Sequence, residues 1–494
     1  MKSLVCSLFL LLSVASVRAE GKFEFTPDAK EAYELALSLR FEEARQKIRY
    51  VKFSDPDNLI VHFIENYIDF FTVFITENER DFERLEQNKD YRIKMIKRGD
   101  KNSPYYNFLQ AEIKLQWAVA RLKFEEYFTA FSEISSAYKL LNRNQRKFPN
   151  FVANKKSLGI LHALVGTIPD SYRWGVKLLG GMSGTIQQGQ KEITEVLDYA
   201  QNNDFIFEEE TMVMYAFLML HLKNQSEAAW NVIRSDKLNP KKNPLACFAL
   251  ANLAMRTGRN DEAIKVLEQR PRGDNFFPFP YLDYKLGLAK LYRLDENADQ
   301  YLLRFLSDFR GRHYIKEAYQ KLAWYHLING RDAKYQFYIN QAGSKGNKVI
   351  DEDKNALKEA KKGHRSEASL LKARLLFDGG YYNRALRILQ KRSPKSYYKK
   401  QDQLEYTYRL GRITHKLNQS DKAIPYYQQT INEGEEEKYF YACNAALQMG
   451  IIYEKAQQRD KAIKYYKACL SMKPDEYKNG LHQKAKAGLN RLDY

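Results

Sequence analysis

Residues 449–474 read MGIIYEKAQQRDKAIKYYKACLSMKP, and the spacing of their small, aromatic and proline residues predicts the local structure. Gly450 and Ala462 are twelve residues apart, Tyr466 follows one helical turn later, and Pro474 comes twelve residues after Ala462. A small residue on each of two antiparallel helices lets the helices approach closely, and a larger residue one turn later fills the groove beside the contact. Proline ends the second helix because it cannot donate the next backbone hydrogen bond. The segment therefore predicts a helical hairpin.

The same arrangement recurs along the chain at intervals of thirty to forty residues, which indicates a repeat protein. The second helix of each unit is marked by a small residue, at Ala44, Ala228, Ala263, Ala385, Ala423 and Ala462. Twelve residues earlier, the first helix carries another small residue, at Ala32, Ala216, Ala251, Ala373, Gly411 and Gly450. Two weaker units fit around Gly287 and Ala323, and the turns are predicted at Gly258, Gly330 and Gly380.

This pattern resembles the tetratricopeptide repeat. The resemblance implies an all-α fold, an α-solenoid of stacked helical hairpins that winds into a right-handed superhelix, with the first helices lining a concave groove. Such repeats imply a binding scaffold rather than an enzyme.

The composition is that of a folded, mainly helical chain. Of 494 residues, 44% are hydrophobic and 29% charged, which excludes wholesale disorder. Only 24 glycines and 13 prolines are present, fewer than a sheet-rich sandwich needs. We predict a signal peptide at 1–19, divergent hairpins at 20–200, central repeats at 201–345, a charged connecting segment at 346–365 and C-terminal repeats at 366–494. The connecting segment is predicted to be an extra polar helix or loop with a solvated face.

The first residues are typical of an export signal. Lys2 precedes an apolar stretch from Leu4 to Val14, and Val17-Arg18-Ala19 resembles a signal-peptidase site. We expect a mature chain that begins at Glu20, is periplasmic or secreted, and has no integral membrane span. Its remaining cysteines are odd in number and form no CxxC pair, which predicts buried small residues rather than a disulfide framework: Cys247, Cys443 and Cys469.

The amino-terminal half has a second resemblance. The order of its motifs resembles that of the inclusion-body-clearance tetratricopeptide family. These motifs are Leu35-Ala36-Leu37, residues 40–44, an apolar helix over 58–74, Lys155-Lys156-Ser157-Leu158-Gly159, Pro169, and residues 178–184 with Gly189. That family is known from yeast and animals and has bacterial relatives. The export signal departs from the eukaryotic members, so their cytosolic role is not carried over.

Motifs for catalysis, metal binding or cofactor binding are weak. Residues 184–191 have the glycine spacing of a phosphate loop, but Gln190 stands where the lysine belongs, and a turn between helices explains the glycines better. The eight histidines are scattered singly, which disfavours a metal site. We therefore predict no cofactor and no enzymatic activity, with dispersed catalytic residues as the alternative.

The predicted partner is a protein or extended peptide, bound by the inward-facing stripe of the first helices. Counting from the small residue of each unit, that stripe contains Phe248, Asn252, Tyr284, Trp324, Arg374, Tyr408, Arg412 and His415. Apolar groups occupy the middle of the stripe, and Arg374 and Arg412 would meet an acidic group or a terminal carboxylate. The same residues could instead pack between adjacent repeats.

The composition also bears on glycans and nucleic acids as partners. The 35 tyrosines and four tryptophans could stack on sugars, which keeps a glycan- or envelope-polymer-binding module open as the alternative function. Nucleic acid is disfavoured despite a net charge of +19, because export would remove the chain from the cytoplasm. The oligomeric state is not encoded in any recognisable pattern.

Overall fold

The structure is a computed structural model that describes residues 20–167, 181–222, 225–363 and 365–493. The predicted signal peptide, Pro169 and residues 178–180 of the second resemblance lie outside these ranges. Within them the chain is all-α, and its secondary structure consists of α-helices, one short 3-10 helix at Pro394–Ser396 and two isolated β-bridges.

The described α-helices number 24, and we number them in chain order. They are α1 (Pro27–Leu37), α2 (Phe41–Ser54), α3 (Ile60–Thr76), α4 (Glu79–Ile96), α5 (Tyr105–Lys123), α6 (Tyr127–Lys147), α7 (Ala153–Gly166), α8 (Ile186–Asn202), α9 (Glu208–Leu222), α10 (Ser226–Ile233), α11 (Pro244–Arg256), α12 (Asn260–Glu268), α13 (Tyr281–Arg293), α14 (Ala298–Asp308), α15 (Ile315–Ile328), α16 (Asp332–Ser344), α17 (Asp351–Lys362), α18 (Ala368–Asp378), α19 (Tyr382–Leu389), α20 (Lys400–Lys416), α21 (Ser420–Gly434), α22 (Phe440–Lys455), α23 (Arg459–Ser471) and α24 (Lys478–Arg491).

The chain divides into two compact units. Among the described residues, unit 1 comprises 20–72, 82–122, 126–167 and 181–207, and unit 2 comprises 73–81, 123–125, 208–222, 225–363 and 365–493.

Unit 1 has an aromatic core that includes buried ion pairs. Tyr33, Phe63 and Phe207 pack edge to face, with ring centroids 5.8 to 6.2 Å apart. Lys156, on α7, is buried and donates to Glu112 at 2.7 Å, and the ion pair offsets the cost of removing both charges from water.

The glycines that resemble a phosphate loop serve helix packing in unit 1. A Cβ on Gly184 would lie 2.5 Å from His162 Cα, and one on Gly189 would lie 2.2 Å from the Gly159 carbonyl oxygen. These glycines allow α7 and α8 to touch backbone to backbone. Thr185 caps α8 by accepting from the Gln188 amide at 3.0 Å. The structure therefore explains this spacing by close packing between helices.

Unit 2 is a solenoid of stacked hairpins, each made of two sequential helices. The pairs are α9/α10, α11/α12, α13/α14, α15/α16, α18/α19, α20/α21 and α22/α23, and α24 packs against both helices of the last pair. This confirms the all-α solenoid fold, including the hairpins predicted around Gly287 and Ala323. Gly258, Gly330 and Gly380 lie in turns with φ of +77°, +69° and +83°, a backbone region in which glycine has no Cβ penalty.

The predicted small residues lie at the contacts between the two helices of a hairpin. Ala263, Ala385, Ala423 and Ala462 are fully buried. A Cβ on Gly411 would lie 2.7 Å from the ring of Tyr427, and one on Gly450 would lie 2.5 Å from the ring of Tyr466. The register is wrong in one unit: Ala229 and Ile233, rather than Ala228 and Val232, face the core of α9/α10.

The charged connecting segment contains α17, which packs on α15. Asp353 is fully buried and accepts from the backbone amides of Tyr314 and Glu317, at 2.8 and 3.0 Å. The helix thus caps the start of α15 and, contrary to the expectation of a merely solvated helix, buries one face. Cys247, Cys443 and Cys469 are buried and unbridged, as expected.

Candidate partner-binding site

A cavity of about 660 Å³ lies on the inner side of the first helices near the carboxy-terminal end of unit 2. Its walls come from α15, α17, α18, α20, α22 and α24, and we call it the central cavity. The small residues of the first helices face the second helices. The opposite face of each first helix therefore lines the cavity. Its volume lies within the range of cavities that hold small ligands or short peptide segments.

Two arginines predicted from the sequence line the central cavity. Arg374, on α18, lies 4.7 Å from the centroid of the Trp324 ring, and its closest carboxylate is Asp378 at 3.8 Å. Arg412, on α20, lies 5.2 Å from the centroid of Phe377 and donates to the Tyr408 hydroxyl at 3.0 Å. Aromatic faces hold both guanidinium groups and leave donors for an anion.

Arg412 forms no ion pair with a carboxylate in the described ranges, and the side chain of Arg374 is 39% exposed. The neighbouring charged residues of α20 already pair with each other. Arg409 pairs with Glu405, which also accepts from the Tyr441 hydroxyl at 2.9 Å. Burial raises the pKa of Glu405, but the charge of Arg409 outweighs it and holds the pKa below its usual value.

The rim of the central cavity is formed by α17 and by the segment that enters α24. Lys358, on α17, lies 3.3 Å from Glu476, and Lys362 binds the same carboxylate. Glu359, also on α17, accepts from the Trp324 indole at 2.8 Å and from the Gln320 amide. These contacts join the two sides of the rim and fix the tryptophan beneath Arg374.

The structure places the eight predicted residues in three kinds of position. Arg374, Tyr408 and Arg412 come together in the central cavity. Tyr284, Trp324 and Asn252 are buried by packing: Tyr284 donates to Glu317, Trp324 supports Arg374, and Asn252 donates to the Phe248 carbonyl of its own helix at 3.1 Å. Phe248 is half-buried and packs on Phe279, with ring centroids 5.3 Å apart.

His415 is half-buried one turn beyond Arg412, with its Nδ1 3.4 Å from the Tyr427 hydroxyl. Burial and the nearby charges of Arg412, Lys455 and Lys416 lower its pKa to about 4. The imidazole is therefore neutral at neutral pH and adds no charge to the cavity.

Sequence reasoning missed the walls that come from the start of α22 and from the terminal segment. Phe440, Tyr441 and Asn444 precede the small residue of α22, and Tyr477 and Lys484 belong to the terminal segment. Asn444 donates to the Tyr408 hydroxyl at 2.7 Å, and this contact orients the phenol beside Arg412. For the wall formed by α17, the available signal was the pair Asp353 and Ala356, which lie three residues apart on one face of this charged helix and are both buried.

The side chains of the central cavity are suited to binding a ligand. Its arginine donors suit a carboxylate, and Phe377, Phe440 and Leu481 offer apolar contacts. Among the described residues, no group of three or more His, Cys, Asp and Glu side chains is placed to hold a metal ion. None of the described helices combines the length and apolar character that a membrane crossing requires.

Comparison with known proteins agrees with the hairpin pattern. Models of the tetratricopeptide repeat match residues 246–276, 404–432 and 444–476, which correspond to α11/α12, α20/α21 and α22/α23. No curated protein sequence matches the chain. Among solved structures, the chain is similar to one from the crystal structure of the APC/C hetero-tetramer Cut9–Hcn1, with 12% identity, a TM-score of 0.27, and coverage of 96% of this chain and 94% of that one. The matched stretches lie within the stacked hairpins of unit 2, so the chain contains tetratricopeptide repeats at residues 246–276, 404–432 and 444–476.

Proposed function

We propose that the chain is an exported, non-catalytic scaffold that binds an extended segment of a protein partner in the central cavity. The observation that carries the proposal is the pair of arginines, Arg374 and Arg412, which aromatic rings hold at the cavity surface. Tetratricopeptide repeats are typically protein-interaction modules, and the matched repeats at 404–432 and 444–476 form part of the cavity wall.

The occupant is a segment that carries a carboxylate next to apolar side chains. A carboxylate can accept two parallel hydrogen bonds from a guanidinium group. Phe377 and Phe440 flank the two arginines, so they would contact the apolar side chains of the same segment. Peptide is favoured over glycan because the exposed rings of Phe337, Tyr398 and Tyr477 lie on separate elements of unit 2.

The test is a double charge reversal, Arg374→Glu with Arg412→Glu, assayed by crosslinking in cells and mass spectrometry of the recovered partners. We expect the recovered partners to fall at least about tenfold, because each change turns an attraction into a repulsion. The matched control is Lys241→Glu with Lys242→Glu, two exposed lysines in the loop before α11. Circular dichroism verifies that both variants fold.

Undiminished recovery of the same partners by the folded double variant would exclude the central cavity as the binding site. Recovery on polysaccharide beads that depends on the same two arginines would instead favour the glycan alternative. Export is tested separately, by amino-terminal sequencing of protein purified from the envelope fraction. We expect the sequence to begin at Glu20, and a cytosolic pool that retains Met1 would contradict export.

A further inference from the structure

A second cavity, of about 760 Å³, lies on α18 and α19 and shares no lining residue with the central cavity. We call it the basic cavity. Its apolar surface includes Leu294, Leu376 and Ile388, and its charged lining consists of five cations: Lys372, Arg384, Arg387, Lys391 and Arg392. No carboxylate is among its lining residues.

Four of the five cations of the basic cavity, all but Lys372, belong to a long segment without acidic residues. Residues 379–401 contain seven lysines and arginines and no aspartate or glutamate. Arg384 donates to the Arg293 carbonyl at 2.9 Å and lies over the ring of Tyr381. In the described ranges, none of the five cations forms an ion pair with a carboxylate.

This arrangement differs from an ordinary solvated helix face, where charges of both signs alternate. Like charges held around one cavity repel one another, so an anion that enters it gains their attraction and removes part of the repulsion. Three of the five cations are arginines, and a planar guanidinium group can donate two parallel hydrogen bonds to the oxygens of one phosphate. Arg387, Lys391 and Arg392 are exposed and can reach such a group from solution.

The apolar surface and a neighbouring aromatic ring narrow the class of anion. Leu294 and Ile388 are half-buried and line the cavity together with the cations, so the cavity offers an apolar surface within a basic rim. Tyr398 is fully exposed in the segment between α19 and α20 that continues from the basic rim. Tyrosine with lysine and arginine is the combination enriched where proteins meet lipid headgroups.

We propose that the basic cavity binds the phosphate headgroup of an anionic phospholipid at a membrane surface. The headgroup lies among Arg387, Lys391 and Arg392, the upper part of an acyl chain contacts Leu294 and Ile388, and Tyr398 lies at the membrane interface. The site is independent of the partner site, since the two cavities are lined by different residues of α18.

The experiment is co-sedimentation of the full chain with vesicles of phosphatidylcholine, with and without phosphatidylglycerol. The test variant is Arg387→Glu with Lys391→Glu and Arg392→Glu. The matched control, Lys241→Glu with Lys242→Glu and Arg272→Glu, makes the same change in net charge at exposed positions outside the cavity. Circular dichroism verifies the fold of each variant.

We expect the chain to bind vesicles that contain phosphatidylglycerol, with an affinity that falls as salt rises. The test variant should bind at least about tenfold more weakly and the control within about threefold of the wild type, since each basic residue near an anionic surface adds to binding. Tyr398→Ala should weaken binding while leaving the circular dichroism unchanged.

Three results would overturn the proposal. The first is equal binding by the folded test variant and the wild type. The second is full displacement of the vesicles by sodium triphosphate at constant ionic strength, which would show a site for a free polyanion. The third is tighter binding to an acidic peptide or an oligonucleotide than to the vesicles, lost in the same variant.

Discussion

Replacing Glu77 with glutamine would remove a buried carboxylate that ties together several elements of unit 2. Glu77 is 1% exposed and follows α3. Its Oε1 accepts from the Tyr281 hydroxyl and the Lys123 ammonium, and it lies 3.1 Å from His313 Nδ1. Its Oε2 accepts from the backbone amides of Arg312 and His313, at 3.1 and 2.9 Å. Glutamine has the same length, but its amide nitrogen cannot accept and would face donors.

The magnitude follows from the pKa of Glu77. Burial raises this pKa, but the hydrogen bond from His313 and the charge of Lys123 outweigh burial and lower it from 4.5 to about 2. That difference corresponds to about 3 kcal/mol in favour of the folded state. Because the folded-state pKa lies below the unfolded-state value, this contribution is complete above about pH 4.5 and is lost as the pH falls towards 2.

Lys123 is the buried cation whose charge Glu77 balances. Its side chain is only 17% exposed, and leaving a buried charge without its partner costs about 3–5 kcal/mol. Burial lowers the pKa of Lys123, and the attraction of Glu77 opposes this. The attraction of Glu77 thus offsets part of the cost of burying the Lys123 ammonium, and glutamine cannot supply that attraction. Five donors support the ionised state of Glu77, so we expect Glu77→Gln to lose about 3 kcal/mol of stability at neutral pH.

The assay is urea unfolding of wild type and Glu77→Gln, followed by far-ultraviolet circular dichroism at about pH 7, 5 and 3. The matched control is Glu79→Gln, two residues away, whose side chain is 70% exposed and lies 3.7 Å from Arg312. The control should lose less than about 1 kcal/mol. Equal losses for the two variants, or a difference from wild type that does not shrink between pH 5 and pH 3, would refute the reasoning.

Three further predictions concern packing and titration in unit 2. Ala462→Leu should overpack α22/α23, because Ala462 is fully buried, and lower the unfolding free energy by about 1–3 kcal/mol in a urea titration. The exposed Lys464→Leu is its control, and an unchanged midpoint for Ala462→Leu would mean that the register is wrong. The His415 imidazole should stay neutral down to about pH 5 in an NMR titration, because burial and Arg412 lower its pKa to about 4, and Arg412→Glu should raise that pKa. As the folded-state pKa lies below the usual 6.5, the stability that His415 contributes is complete above pH 6.5 and lost as the pH falls through 4. Cys247 should resist a thiol reagent at mildly alkaline pH until the chain unfolds, because burial raises its pKa to about 12; labelling in the folded state would contradict this.

The sequence by itself determined the hairpins, because each depends on contacts between residues about twelve to sixteen positions apart. Gly450, Ala462 and Tyr466 specify one close helix contact, and the ring of Tyr466 occupies the space that a Cβ on Gly450 would need. Local spacing was sufficient there, since helical periodicity fixes which side chains meet. The predicted register was wrong by one residue at Ala228. The neighbouring Ala229 fits the same pattern, and only the packing of the folded chain distinguishes the two.

Tertiary structure decided which inward-facing residues remain accessible. The stripe that contains Trp324 and Arg374 was predicted as one surface, yet α17 covers the tryptophan through Glu359 and leaves the arginine at the cavity. The contact joins residues 35 positions apart on a helix outside the repeat pattern, so no periodicity could reveal it. Likewise, the carboxylate of Glu77 meets the backbone of His313 across 236 residues, and only the folded chain brings them together. Sequence spacing fixes helices and their immediate partners, whereas burial and charge at a site depend on contacts between distant segments.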